Sequence, residues 1–368
     1  MQADDEGFLY PQVNADSCSN CLRCEKVCPA LNQTKNPQRP VVFACYNKDA
    51  DVRKQSSSGG LFSLIANQVL KQGGIVFGAA FDGRFEVEHR FVDSPQELGL
   101  LRGAKYVQSR LGDTFKQVKE FLNEGRLVLF TGTPCQVAGL KKGLGKNYSN
   151  LLTADIVCHG VPSPLVFRLY REEMEQRFQS PIKSFSFRNK THGWQNYHVF
   201  IEFESETSLT SLWEDDFMRG FLSDMYLRPS CHACCADDFR SGSDLTLADY
   251  WGVDHFHPEL FDDQGTSLVL LHTEKGKEYW RKIEPMLEYR LSELSKAVQY
   301  NPCLVQSVGK HPKRRLFFER LGKVPFGELI ADILKPDQSF TGRLKRLVRQ
   351  LLVNRYTKYV YHRWFRKS

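Results

Sequence analysis

The sequence predicts an α/β (α+β) protein, preceded by a short cysteine-rich module and followed by a basic helical tail. Three observations carry this. Strand-like and helix-like patterns alternate from Val41 to about Cys158, period-two stretches fall between 183 and 204, and cysteine and positive charge concentrate near the two ends. The 368 residues are 41% hydrophobic and 25% charged. That is ordinary globular composition, enough for a large core and more than one domain.

Along the chain, Asn32 to Pro40 is polar with two prolines and reads as a linker. Ser58-Gly-Gly60 then introduces a helical stripe (Leu61, Leu64, Ile65, Val69) that stops at Gly73-Gly74, before a buried strand over Ile75 to Phe81. A helix over Thr114 to Leu122 follows, then a strand at Leu127–Phe130, a glycine-containing turn, and another strand from Leu151 to Val157. Such alternation predicts strands and helices in layers, with short turns at the strand ends. Ser-Phe-Ser-Phe and His-Val-Phe-Ile-Glu-Phe in 183–204 have the alternation of antiparallel strands.

Of eleven cysteines, four form the run Cys18-x2-Cys21-x2-Cys24-x3-Cys28-Pro29. This is the spacing of bacterial [4Fe–4S] ferredoxins. Three thiolates on one tight loop reach three corners of a cube, and the fourth is expected to leave on a following helix. A zinc knuckle would want paired CxxC motifs or nearby histidines, and the nearest histidine is the distant His89. In two-cluster modules the fourth cysteine of a run serves the other cluster. Only one run is present, preceded by Asp5-Glu-Gly-Phe-Leu-Tyr-Pro11, which looks like the hairpin joining two such halves. Residues 1–35 are therefore expected to be a partial ferredoxin-type module, its other half upstream of Met1 or degenerate. The fourth ligand is unassigned, with Cys28 the nearest candidate.

The N-terminus is acidic without an apolar leader, and no stretch approaches 18 uninterrupted apolar residues. With CxxC pairs and no secretion signal, metal ligation is favoured over disulfides and the cytoplasm is the expected compartment. The net charge of +7 is uneven: nine Lys and Arg and no acid lie from Thr341 onward, leaving about −2 on the rest. The body thus gives no case for nucleic acid. The tail, 338–368, pairs Leu344, Leu347, Val348, Leu351 and Leu352 with basic and aromatic residues. A basic amphipathic helix of this kind reads as a membrane-surface or partner contact, peripheral at most; a solvated helix packed on its own domain is the plainer alternative.

Further cysteines stand in Thr131-Gly-Thr133-Pro-Cys135-Gln136, Cys158-His159-Gly and Cys231-His-Ala-Cys234-Cys235. Cys135 and Cys158 each follow an expected strand, which puts them at one sheet edge, where α/β sites are built. Cys231 and Cys234 lie on a loop able to fold over that edge, although each thiol taken singly is as well read as a small buried hydrophobe. Together with Ser58-Gly59-Gly60, Gly78-Ala79, Gly103-Ala-Lys105-Tyr106-Val-Gln108-Ser109 and Asp249-Tyr-Trp251-Gly, these motifs resemble, in order, the β-subunit family of coenzyme F420 hydrogenases and dehydrogenases, itself similar to 7-hydroxymethyl chlorophyll a reductase.

The resemblance spans most of the chain. It implies a flavin-binding α/β domain whose N-terminal part is 41–160 and whose C-terminal part, with the second cysteine set, is 161–330. It implies FAD held without a GxGxxG motif, one or two [4Fe–4S] clusters, and a second cluster on Cys135, Cys158, Cys231 and Cys234. Cys235 and Cys303 have no place in that pattern. Gly59-Gly60 opening a helix suits a pyrophosphate, and Lys105 and Tyr106 offer charge and a stacking face. Ser58, Gln108, Ser109, Thr131, Thr133 and Gln136 complete the expected cofactor contacts. His159 and Lys105 are the catalytic candidates, and Asp249 and Trp251 are expected to support the site. The implied activity is an iron–sulfur flavoprotein oxidoreductase working between ferredoxin or another redox protein and F420 or another small organic substrate. The alternative is an electron-relay or interaction subunit without flavin.

Overall fold

The computed structural model describes residues 1–33 and 39–335, so the basic tail lies outside the described residues. The strands in chain order are β1 (Gln2–Ala3), β2 (Leu9–Tyr10), β3 (Val41–Asn47), β4 (Ile75–Phe81), β5 (Val87–Val92), β6 (Val128–Gly132), β7 (Leu151–Ile156), β8 (Ile182–Asn189), β9 (His198–Phe203), β10 (Thr207–Ser211), β11 (Leu245–Asp249), β12 (Ser267–Leu271) and β13 (Leu287–Ser292). Eight of them form one sheet in the order β13-β3-β12-β11-β7-β6-β4-β5. β4, β6, β7 and β11 are mutually parallel, and β12 and then β3 add antiparallel on the far side.

The inner strands carry near-continuous apolar runs because both their faces are covered. The period of two divides them. Val76, Leu129 and Leu152 face the helices Leu61–Leu70 and Glu274–Ile283. Ile75, Phe77, Val128 and Phe130 face Thr114–Asn123 and Pro134–Leu144. Each side chain closed off this way contributes roughly 1.5–3 kcal/mol. The expected helices and strands of 61–157 thus form where the apolar spacing put them.

β8, β9 and β10 make a separate antiparallel sheet, as the alternation in 183–204 predicts. Its Phe185 and Phe187 enter an aromatic core with Phe167, Tyr170, Phe217 and Tyr226, closed by the helices Arg314–Arg320 and Phe326–Ile333. The large sheet draws strands from both sides of residue 160.

The N-terminal hairpin exists: β1 and β2 pair antiparallel. It is docked by a fully buried Phe8 and by Gly7, where φ is +85° and a Cβ would stand 2.3 Å from that of Leu165. A side chain fits neither the space nor the left-handed backbone. The cysteine run differs from expectation in one respect. Its helix is Arg23–Lys26, which contains Cys24 and ends before Cys28. Leu22 turns the chain with φ 55°, and Pro29 biases Cys28 away from helical backbone. Among the described residues no helix is long and apolar enough to cross a membrane.

Candidate functional site

The sheet topology brings the motif residues to one edge. The carboxyl ends of β3, β4, β6, β7 and β11 and the start of β12 share it, because Asp249 faces Ser267, Ser267 faces Cys45, and Gly132 faces Asp155. Ser58–Gly60 follow β3, Cys135 follows β6, Cys158 follows β7, and Trp251 follows β11.

Cys135 is the second residue of the helix Pro134–Leu144. Thr133 and Gln136 form a capping box at its start, and the Thr133 hydroxyl lies 3.2 Å from the Cys135 sulfur. Behind it, Gln136 Nε2 donates to Ser109 Oγ at 2.8 Å, and Ser109 also meets His89 Nδ1 at 2.9 Å. His89 Nε2 reaches the Thr131 carbonyl at 3.1 Å. Burial pushes the His89 pKa down to about 4, against the pull of that carbonyl. Thr131 Oγ1 itself donates to Phe77 O at 2.8 Å. Ser109, Thr131, Thr133 and Gln136 therefore make a network that fixes the turn presenting Cys135.

The other thiols come from two loops in contact. Pro162 bridges Leu227 in β fashion, and a Cβ on Gly160 would stand 3.4 Å from that of Cys231. Cys231 N donates to Arg228 O at 2.9 Å, and Cys234 N to Ser307 Oγ at 2.8 Å. Cys158 is pushed well up by burial and then by the thiolates of Cys231, Cys135 and Cys234. Burial, with Cys135 and Cys234 among the further causes, pushes Cys231 up to about 11. The same holds for Cys235, also at about 11, and Cys28 acts on it as well. The charge of Cys135 thus acts on Cys158, Cys231, Cys234 and Cys235 alike.

Among the described residues no three ligand side chains close on a single ion. A tetrahedral ion bonded at about 2.3 Å holds its sulfurs only ~4 Å apart. Four cysteine thiols are the donor set that an iron–sulfur cube takes, and such a group would bind them ionised.

His159 sits beside Cys158. Its Nε2 lies 2.6 Å from Asp224 Oδ1, and its Nδ1 lies 3.8 Å from Cys303 Sγ. Burial opposes its charge, yet Asp224 and Cys303 hold its pKa up to about 9.

At the β3 end, Gly59 N donates to Ser267 Oγ at 2.9 Å, and a Cβ on Gly59 would strike Cys45 O at 2.8 Å. Packing therefore accounts for this glycine. Gly60 opens the helix Leu61–Leu70 in left-handed conformation, with no side chain capping it. The buried Asn47 Nδ2 has no hydrogen-bond partner and lies 3.5 Å from where a Gly60 Cβ would be. A free helix N-terminus beside an orphaned donor fits a phosphate. Lys190 gathers three carbonyls here, from Arg53, Ser58 and Gln264. Burial and then Arg188 push it down to about 7.

The remaining expected contacts are engaged elsewhere. Lys105 Nζ donates to Leu100 O and Arg102 O, and burial lowers it to about 7. Tyr106 stacks on Phe221 at 4.7 Å and meets Phe187 at 5.3 Å, so its ring faces are occupied. Gln108 holds the hairpin through the Leu9 backbone. Trp251 stacks on Trp194 at 4.7 Å. Asn47, His89, Asp224 and Lys190 do not stand out in the sequence, because isolated polar residues acquire meaning only from partners distant in the chain.

The site is thus a set of thiols gathered at the carboxyl edge of a mixed α/β sheet. Residues 125–297 match the family model for the C-terminal part of the coenzyme F420 hydrogenase/dehydrogenase beta subunit. The matched segment is similar to the family that the motifs implied. A chain of the F420-reducing [NiFe] hydrogenase complex from Methanosarcina barkeri superimposes with a TM-score of 0.50 at 17% identity, covering 79% of this chain and 94% of the other. That likeness concerns the fold. No curated protein matches the chain.

Proposed function

We propose that this protein is an iron–sulfur flavoprotein oxidoreductase, passing electrons between a ferredoxin-type partner, [4Fe–4S] clusters and FAD, to or from F420 or another small organic substrate. The observation that carries the reading is the convergence of Cys135, Cys158, Cys231 and Cys234 over the sheet edge that also bears Ser58–Gly60. These four thiols would hold one cluster; Gly60, the start of the helix Leu61–Leu70 and Asn47 would hold the dinucleotide phosphate. When bound, a flavin exchanges electron pairs with an organic substrate and single electrons with clusters. The protein's part is to position that exchange. The His89 network fixes the Cys135 turn, and His159, held by Asp224, offers a proton donor beside Cys158.

The filled faces of Tyr106 and the inward-turned Lys105 favour a second reading, an electron-relay subunit without flavin. One experiment separates the two. Protein reconstituted anaerobically with iron, sulfide and FAD is treated with dithionite, and the visible spectrum and the flavin released on heating are recorded. Flavin bleaching together with cluster bleaching supports the oxidoreductase. Cluster bleaching without bound flavin supports the relay, and neither overturns both.

A further inference from the structure

Two loops meet over the start of the helix Leu61–Leu70. The first is the turn 55–60, which follows the helix Ala50–Lys54. The second is 102–105, in which Gly103 has φ +83° and takes the left-handed backbone. Ala104 N donates to Ser57 Oγ at 2.8 Å and so fastens the second loop to the first. Lys105 Nζ turns back to Leu100 O and Arg102 O. It braces its own loop from within.

Arg102 is the cation that this bracing presents. Its Nε donates to Ser63 Oγ at 3.0 Å and its Nη1 to Gln55 Oε1 at 2.6 Å. Ser63 is the third residue of the helix and is buried. Both acceptors are neutral, and among the described residues no carboxylate pairs with Arg102. A helix N-terminus carries partial positive charge, so it repels a cation and holds an anion. Across the turn, Lys190 Nζ donates to Ser58 O at 3.0 Å, and Arg53 is matched by Asp262 at 2.6 Å. Asn47, 2% exposed, leaves Nδ2 without a partner beside Gly60. Positive charge and an unused buried donor thus gather around one helix start.

We infer that Arg102 is the charged residue of a nucleoside-diphosphate site at this helix start, and that Lys105 is a positioning residue that holds Arg102 there. A diphosphate has oxygens enough to take the helix N–H groups, Asn47 Nδ2 and the guanidinium fork together. The inference deepens the reading of Ser58–Gly60 as the dinucleotide phosphate site and rests on it. It also gives the inward-turned Lys105 a role in that site.

The test uses the full chain, reconstituted anaerobically with iron and sulfide, and titration calorimetry with ADP, FAD and riboflavin, which has no phosphate. ADP and FAD are expected to bind Arg102→Gln roughly tenfold or more weakly than wild type, while riboflavin affinity hardly changes. Arg102→Lys, which keeps a charge but not the fork, falls between. Lys105→Met is expected to weaken ADP binding and to speed amide exchange over 102–105. A second measurement needs no variant: saturating ADP should shield Arg102 from phenylglyoxal in wild type, read by peptide mass spectrometry. Arg102 modified equally with and without bound ADP, or ADP affinity unchanged in Arg102→Gln, overturns the inference; FAD still bound by that variant leaves the flavin reading standing. ADP bound through Arg102 by a chain that refuses FAD upholds the inference and overturns the flavin reading. Wild type that binds neither ligand overturns both.

Discussion

Arg188 and Asp249 form an ion pair almost closed to solvent, their side chains 5% and 14% exposed. The second Asp249 oxygen accepts from Trp194 Nε1 at 2.8 Å, and the guanidinium lies 4.5 Å over the Tyr197 ring. This pair locks the end of β11 to β8, and so joins the sheet edge to the aromatic lobe. Asp249→Asn leaves a buried, unmatched cation and is expected to cost about 3–5 kcal/mol. Replacing both residues with apolar ones of similar volume is expected to cost much less. Urea unfolding of the three chains checks the order.

The hairpin is held by a second such pair. Arg314, buried, donates to Glu6 Oε1 at 2.6 Å and to Leu227 O at 3.0 Å. Glu6→Gln is expected to weaken docking of residues 1–33 by roughly 3 kcal/mol, with little effect on the large sheet. Hydrogen exchange should accelerate at β2 and in the cysteine run, while β4, β6 and β7 stay protected.

Acid should destabilise the protein through His89. Its folded pKa of about 4 lies below the free value near 6.5. The folded imidazole thus stays neutral while the unfolded one takes up a proton. The contribution is complete above ~6.5 and is lost as the pH falls toward 4, by on the order of 3 kcal/mol. His272, also lowered to about 4 by burial, acts in the same direction. Asp155, raised to about 6 by burial, acts oppositely, its penalty being relieved below that value. Chemical denaturation at pH 7.5 and 4.5 should show a smaller acid loss for His89→Gln than for wild type.

The elements of the large sheet were legible because local pattern and global burial agree. The apolar run Ile75–Phe81 and the stripe Leu61–Val69 can each be satisfied in one way only. The edge location of Cys135 and Cys158 was legible for the same reason, since each follows such a strand. Contacts between distant loops were not. Cys235 looked like a spare thiol, and nothing in the sequence singled out Asn47. Lys105 and Tyr106 offered charge and a ring face in the sequence, but the fold turns both inward. No one-dimensional spacing encodes which carbonyl or ring a side chain meets.

The most direct measurement is the iron bound per chain after anaerobic reconstitution, compared among wild type, Cys158→Ser and C18S/C21S/C24S. The account predicts iron in wild type and a partial, separate loss in each variant, because each change disables one of two thiol groups. Iron that is absent from wild type, or that is unchanged by Cys158→Ser, would contradict it.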